Sequence, residues 1–203
     1  MHPAIALALA YLSGSIPSAA IAGRAKGIDL RKQGSGNLGA TNVFRVLGWR
    51  IGVVVFLADV LKGALPVHLL PPHIDNTRDP VVWGLLLGIA AIAGHVRPAF
   101  LGFSKGGKGV ATASGVFLAL APIPMLVTFS VFGIVLFISG YVSLGSLTSA
   151  VVLPTILAFT QGIRSPLFIV SAVIAAFVFW THRANIRRLR TGEENRFGKR
   201  GKR

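Results

Sequence analysis

The residues best placed to do chemistry are Gly34-Ser35-Gly36-Asn37-Leu38-Gly39-Ala40-Thr41-Asn42, with Arg45 one helical turn beyond. Glycines at 34, 36 and 39 let successive backbone N–H groups curl around an oxyanion, because residues without Cβ adopt turn conformations and admit a ligand close to the main chain. Ser35, Asn37, Thr41 and Asn42 add short polar side chains. A helix beginning near Thr41 would aim its unpaired N–H groups and positive dipole end at the same anion, and Arg45 would add a full charge. The expected ligand is a phosphate. The same composition also suits a flexible linker between helices.

Two nucleotide motifs are approached and not met. Gly34 to Gly39 satisfies G-x-G-x-x-G, but a dinucleotide site needs a buried strand before it, and the preceding segment is basic and polar. Gly102-Phe103-Ser104-Lys105-Gly106-Gly107-Lys108-Gly109 has the P-loop spacing at Gly102, Gly107 and Lys108, yet Gly109 stands where Ser or Thr must hold magnesium. A glycine loop with Lys105 and Lys108 ahead of a helix is still a second anion site.

The elements that position these loops are apolar. The 203 residues are 53% hydrophobic and 13% charged, with a mean hydropathy of +0.69, outside the range of soluble domains. They read as one membrane-embedded domain spanning residues 1–203. Apolar runs fall at about 3–23, 51–70, 81–96, 109–121, 124–140, 143–161 and 165–182. The fourth is short for a ~30 Å hydrocarbon core. Arg24 and Lys26 follow the first run and no Lys or Arg precedes it, the reverse of a cleavable signal peptide. Inside the second run, Asp59 and Lys62 share a helix face at i,i+3 and can pair.

Charge placement orients the runs. The net charge of +15 lies between and after them, which argues for membrane lipid as the partner of the basic residues and against nucleic acid. If the fourth run crosses, 18 of the 21 Lys and Arg fall on one side, leaving Arg78 and Arg164 opposite and Lys62 within the second run. The expectation is therefore an all-α polytopic membrane protein with seven transmembrane helices, amino terminus outside, carboxyl terminus cytoplasmic, and a basic cytoplasmic tail over 187–203. Both glycine loops and the segment from His182 then share the cytoplasmic face. With no cysteine, thiolate metal sites and a cysteine nucleophile are excluded. Nothing in the sequence calls for a metal or a cofactor.

Taken together, these motifs resemble the bacterial acyl phosphate:glycerol-3-phosphate acyltransferases of phospholipid synthesis. The likeness runs through Gly14-Ser15-Ile16-Pro17-Ser18, Gly34 to Asn42 with Arg45, and Asp59-Val60-Leu61-Lys62-Gly63. It continues in Gly94-His95, Lys105-Gly106-Gly107-Lys108-Gly109-Val110-Ala111-Thr112, Tyr141-Val142-Ser143 and His182-Arg183-Ala184-Asn185-Ile186. Ser104 looks like a one-residue addition before the second loop, and the basic tail looks long. The resemblance implies a seven-helix enzyme of the cell inner membrane with a cytoplasmic active site. It would move an acyl group from acyl phosphate to the sn-1 hydroxyl of glycerol 3-phosphate, giving lysophosphatidic acid and phosphate.

Acyl phosphate is a mixed anhydride with a good leaving group, so catalysis needs mainly to join two like-charged substrates and stabilise developing charge. The expected catalytic set is Ser35, Asn37, Arg45, Lys108 and His182. Substrate binding is assigned to Gly34, Gly36, Leu38, Gly39, Ala40, Thr41, Asn42, Lys105, Gly106, Gly107 and Asn185, with Glu194 near the same end. His182 and a substrate phosphate both remain candidates for the base, and the reading favours the phosphate. A transporter of phosphorylated solutes is the competing class. It would place binding groups near the bilayer midplane and show an internal repeat, whereas these motifs gather at one face.

Overall fold

A computed structural model describes residues 1–75 and 79–197, and among them it contains α-helices, two short 3-10 turns and no strand. Arg78 and residues 198–203 of the basic tail lie outside the described residues. The chain divides into two compact units, one of Met1–Pro122 and one beginning at Ile123.

The first unit holds α1 (Pro3–Ser15), α2 (Ser18–Ala25), α3 (Ala40–Leu47), α4 (Trp49–Leu69), α5 (Pro80–Val96) and α6 (Val110–Leu120). Local chemistry sets several of these ends. Asp79 accepts from the N–H groups of Val81 and Val82, and Pro80 supplies a pre-set first-turn residue, so α5 begins there. Pro17 has no N–H and drives Ile16 out of helical geometry, which splits the first apolar run into α1 and α2. The expected helix near Thr41 begins at Ala40, after Gly39.

Close helix packing builds this unit. In lipid the apolar environment offers no hydrophobic drive between helices, so small residues that let backbones touch do the work. A Cβ at Gly94 in α5 would overlap the Tyr11 carbonyl oxygen of α1, and one at Gly63 in α4 would overlap the Thr112 carbonyl oxygen of α6. Ser13 Oγ donates to the Lys62 carbonyl at 3.1 Å, tying α1 to α4.

The second unit holds α7 (Pro122–Ser139, whose first residue closes the first unit), α8 (Val142–Gln161), α9 (Pro166–Thr181) and α10 (Arg183–Arg190). Ser165 caps α9 by accepting from the Phe168 N–H at 3.2 Å, with Pro166 as the first helical residue. Phe137 and Phe159 are 92% and 88% exposed, an outward apolar surface suited to lipid rather than water. Hydroxyls on these helices bond inside their own turns: Thr128 to Pro124 O, Ser139 to Val135 O, Thr155 to Val151 O.

Among the described residues, five helical stretches are long and apolar enough to cross a membrane, namely Pro3–Ala25, Trp49–His73, Pro80–Leu101, Pro122–Ser139 and Val142–Gln161. The pair α9 and α10, bent by 59°, makes a sixth if counted as one. By length, then, the count is five or six. Helix α6, with 11 residues, is about 16 Å long and does not reach across by itself.

After α10 the chain hooks back. Glu194 accepts from Ser143 Oγ at 2.8 Å, Asn185 Nδ2 at 2.6 Å and Arg188 Nε at 2.7 Å, and Phe197 N donates to Gly140 O. Burial pushes the Glu194 carboxyl up, but the bonds from Asn185, Arg188 and Ser143 and the Arg188 charge outweigh it and hold the group below its ordinary 4.5.

Gly63→Ala should destabilise the protein by about 1–3 kcal/mol through overpacking. Gly133→Ala, where a Cβ would meet nothing within 4 Å, should be neutral or slightly stabilising in thermal melts of detergent-solubilised protein. Because the folded-state pKa of Glu194 is lowered, its contribution is fully present above the ordinary value and fades as pH falls through the lowered one. The melting difference between wild type and Glu194→Gln should therefore be largest near neutral pH and vanish in acid.

Candidate functional site

The first glycine loop is held by one side chain. Asn42, 1% exposed at the start of α3, accepts from the Ser35 N–H through Oδ1 at 2.8 Å. Its Nδ2 donates to the carbonyls of Leu30 at 3.1 Å and Gln33 at 3.0 Å. The amide thus staples both sides of the loop, and the backbone between can turn only because Gly34 and Gly36 sit at φ of +61° and +68°. Leu38 and Ala40 anchor the loop's far end in an apolar cluster with Leu30, Val43 and Val55. Ser35 is exposed, Asn37, Gly39 and Thr41 are half-buried, and Arg45 lies exposed on α3. Gly39 caps α3 without a side-chain oxygen, so no side chain of that residue competes for the helix's first N–H groups.

The second glycine loop docks on the end of α5. Gly106 N donates to Val96 O at 2.9 Å and Gly107 N to His95 O at 3.3 Å. Both glycines are buried, while Lys105 is exposed and Lys108 half-buried. Gly109, left-handed at φ +81°, opens α6. The two loops touch: Arg31 Nη2 donates to Ser104 Oγ at 2.9 Å, and a Cβ at Gly107 would lie 3.0 Å from the Leu38 carbonyl oxygen. The sequence had placed both loops at one membrane face, and the fold makes them neighbours. Arg31 and Ser104 were counted there only as a loop charge and an added residue. A contact across 73 positions leaves no local pattern to read.

Beneath the loops, within two helical stretches apolar enough to cross a membrane, lies a charged cluster. Lys62 Nζ stands 2.8 Å from Asp59 Oδ1 and donates to the Ile16 carbonyl at 2.8 Å, next to the break that Pro17 makes. His95 Nδ1 is 3.7 Å from the same carboxylate oxygen. All three side chains are buried. The i,i+3 spacing had indicated the pair, and the approach of His95 appears only in the folded helices.

In the second unit, His182 occupies the bend between α9 and α10. Its Nδ1 lies 2.8 Å from the Val178 carbonyl, so that nitrogen carries the proton and Nε2 is the basic atom of the neutral ring. Asn185, on α10, is oriented by its bond to Glu194. No group of three or more His, Cys, Asp and Glu able to hold a metal occurs among the described residues.

Comparison with known proteins agrees with this geometry. The family model described as glycerol-3-phosphate acyltransferase matches residues 4–192. The glycerol-3-phosphate acyltransferase of Geobacter metallireducens is 51% identical over 191 residues, covering 94% of this chain and 95% of its own. That of Geotalea daltonii is 46% identical over 188 residues, covering 93% and 94%. The crystal structure of PlsY, described as an integral membrane glycerol 3-phosphate acyltransferase, matches in its glycerol 3-phosphate form with a TM-score of 0.88 at 40% identity, over 97% of this chain and 96% of that one. Its lysophosphatidic acid form matches with a TM-score of 0.84 at 41% identity, over 97% and 95%. Because the match takes in both glycine loops, the charged helices and the His182 segment, this integral membrane chain belongs to the glycerol-3-phosphate acyltransferase family.

Proposed function

We propose that this protein transfers the acyl group of a fatty acyl phosphate to the sn-1 hydroxyl of glycerol 3-phosphate, forming lysophosphatidic acid and releasing phosphate. The observation that carries this reading is the interlocking of two glycine loops at the polar end of an apolar helix unit, through Arg31 with Ser104 and Leu38 with Gly107. Two phosphate-bearing substrates need two anion cradles in contact. One of them also has a chain that must stay in lipid, which the apolar helix surfaces accommodate.

In this scheme the first loop takes the acyl phosphate. The backbone of Gly34, Leu38, Gly39 and Ala40, with Ser35, Asn37 and Thr41, binds its phosphate and carbonyl oxygen, while Gly36, whose N–H is bonded to the Gln33 carbonyl, and Asn42 hold the loop in shape. Lys105 receives the phosphate of glycerol 3-phosphate, on a loop that Gly106 and Gly107 dock against α5. Arg45 and Lys108 neutralise the charge of the paired substrates, and His182 and Asn185 orient the acceptor. The sn-1 oxygen attacks the acyl carbonyl carbon, the bond from that carbon to the phosphate oxygen breaks, and inorganic phosphate leaves. The hydroxyl proton passes to a substrate phosphate, whose second pKa lies near 6, or to His182 Nε2. Holding the reactants in contact and stabilising the oxyanion supply the catalysis, with no covalent intermediate.

The membrane reading extends the same proposal. We take α6 as the short fourth of seven spans within a single domain over 1–203, the amino terminus outside, and the loops and the basic tail from 187 cytoplasmic at the cell inner membrane. The bias of Lys and Arg toward the loops and tail supports it.

Purified protein in detergent, given acyl phosphate and glycerol 3-phosphate, should release phosphate and form lysophosphatidic acid. Release no faster than spontaneous hydrolysis, or equal rates with acyl-coenzyme A as donor, would overturn the donor assignment. Asn37→Ala should lower kcat about 100-fold, the scale of removing one oxyanion donor, with an unchanged melting profile. Gly36→Val should abolish turnover, since its φ of +68° admits no branched residue without strain. Full activity in both variants would reduce the loop to a linker.

A further inference from the structure

We propose that His95 is a positioning residue for the second glycine loop, setting the place of Gly106 and Gly107 and through them the affinity for glycerol 3-phosphate. The inference rests on the acceptor assignment above and concerns a residue that touches no substrate in that scheme.

The loop grips His95 from two sides. Its carbonyl accepts the Gly107 N–H at 3.3 Å, and the neighbouring Val96 carbonyl accepts the Gly106 N–H at 2.9 Å. The imidazole meets Gly107 from the other direction, so closely that a Cβ there would overlap Nε2. Gly107 in turn packs on the Leu38 carbonyl of the first loop. The ring therefore sets a spacing that both loops share, with Lys105 and Lys108 carried on either side of it.

Below the ring lies the Asp59–Lys62 pair. Ile16 O holds Lys62 Nζ, Lys62 holds Asp59, and Asp59 Oδ1 faces His95 Nδ1 at 3.7 Å. These side chains, with Ser18, Gly106 and Gly107, line a cavity of about 10 Å³. His95 Nδ1 and Ser18 Oγ are buried and make no hydrogen bond within the protein. An unmet buried nitrogen is costly, and a leucine or phenylalanine of similar volume would avoid that cost, so packing alone does not explain a histidine here. Its two faces, one toward the Asp59–Lys62 pair and one against Gly107, do.

The test separates affinity from folded fraction, because KM does not depend on how many molecules are active. His95→Ala should raise KM for glycerol 3-phosphate about tenfold, about 1.4 kcal/mol, while KM for acyl phosphate changes less than about twofold. His95→Gln, whose amide can reach Gly107, should recover most of the loss. Gly107→Ala should also raise KM for glycerol 3-phosphate, and the double variant should be no worse than the poorer single one, since removing the ring makes room for the added methyl. If His95→Ala does not purify, His95→Asn, which ends short of Gly107, carries the same expectation. Unchanged KM values with a lower rate, equal rises for both substrates, or multiplying effects in the double variant would overturn the inference. A wild-type enzyme inactive with acyl phosphate and glycerol 3-phosphate would instead overturn the proposed function.

Discussion

A polar group at lipid depth has to find its partner inside the protein, and most of this structure can be understood as answers to that constraint. Hydroxyls of α7 and α8 bond to carbonyls one turn back in the same helix. The carbonyl exposed by the Pro17 break is met by the ammonium of Lys62, and that charge is met by Asp59. A pair of charges in such surroundings is kept only when each holds the other, because removing either strands its partner. The cluster stands where α1, α4 and α5 come together, directly under the glycine loops.

The same constraint drives the proposed phosphate-binding chemistry to the ends of the helices. Irregular backbone with unpaired N–H groups is costly within hydrocarbon, whereas at a helix end those groups can be turned toward an anion. Gly39 before α3 and Gly109 before α6 are such ends. Neither brings a side-chain cap, and each follows a loop whose glycines are needed for conformation or close approach. The loops then brace each other through Arg31 with Ser104 and Gly107 with Leu38.

Glycine has two separate uses in the chain. At 34 and 36 it supplies backbone angles that other residues reach only under strain. At 63 and 94 the backbone angles are ordinary helix and the need is room, because another helix's carbonyl occupies the space of the absent side chain. A sequence shows both as the letter G, and only the positions of neighbouring helices tell them apart.

By itself the sequence determined the apolar runs, the basic bias of the loops, the two glycine loops and the i,i+3 pairing of Asp59 with Lys62. These are local or compositional properties, governed by residue type and helical periodicity. It also carried the family motifs that the match over residues 4–192 bears out. Only the tertiary structure decided that Asn42 spends its amide on the loop's own backbone, that Arg31 reaches Ser104, and that His95 lies between Asp59 and Gly107. It also set a bend of 59° at His182, where the last apolar run ends. Each of these depends on residues far apart in the chain or on how a helix ends against its neighbours, and no periodicity encodes a distance between helices.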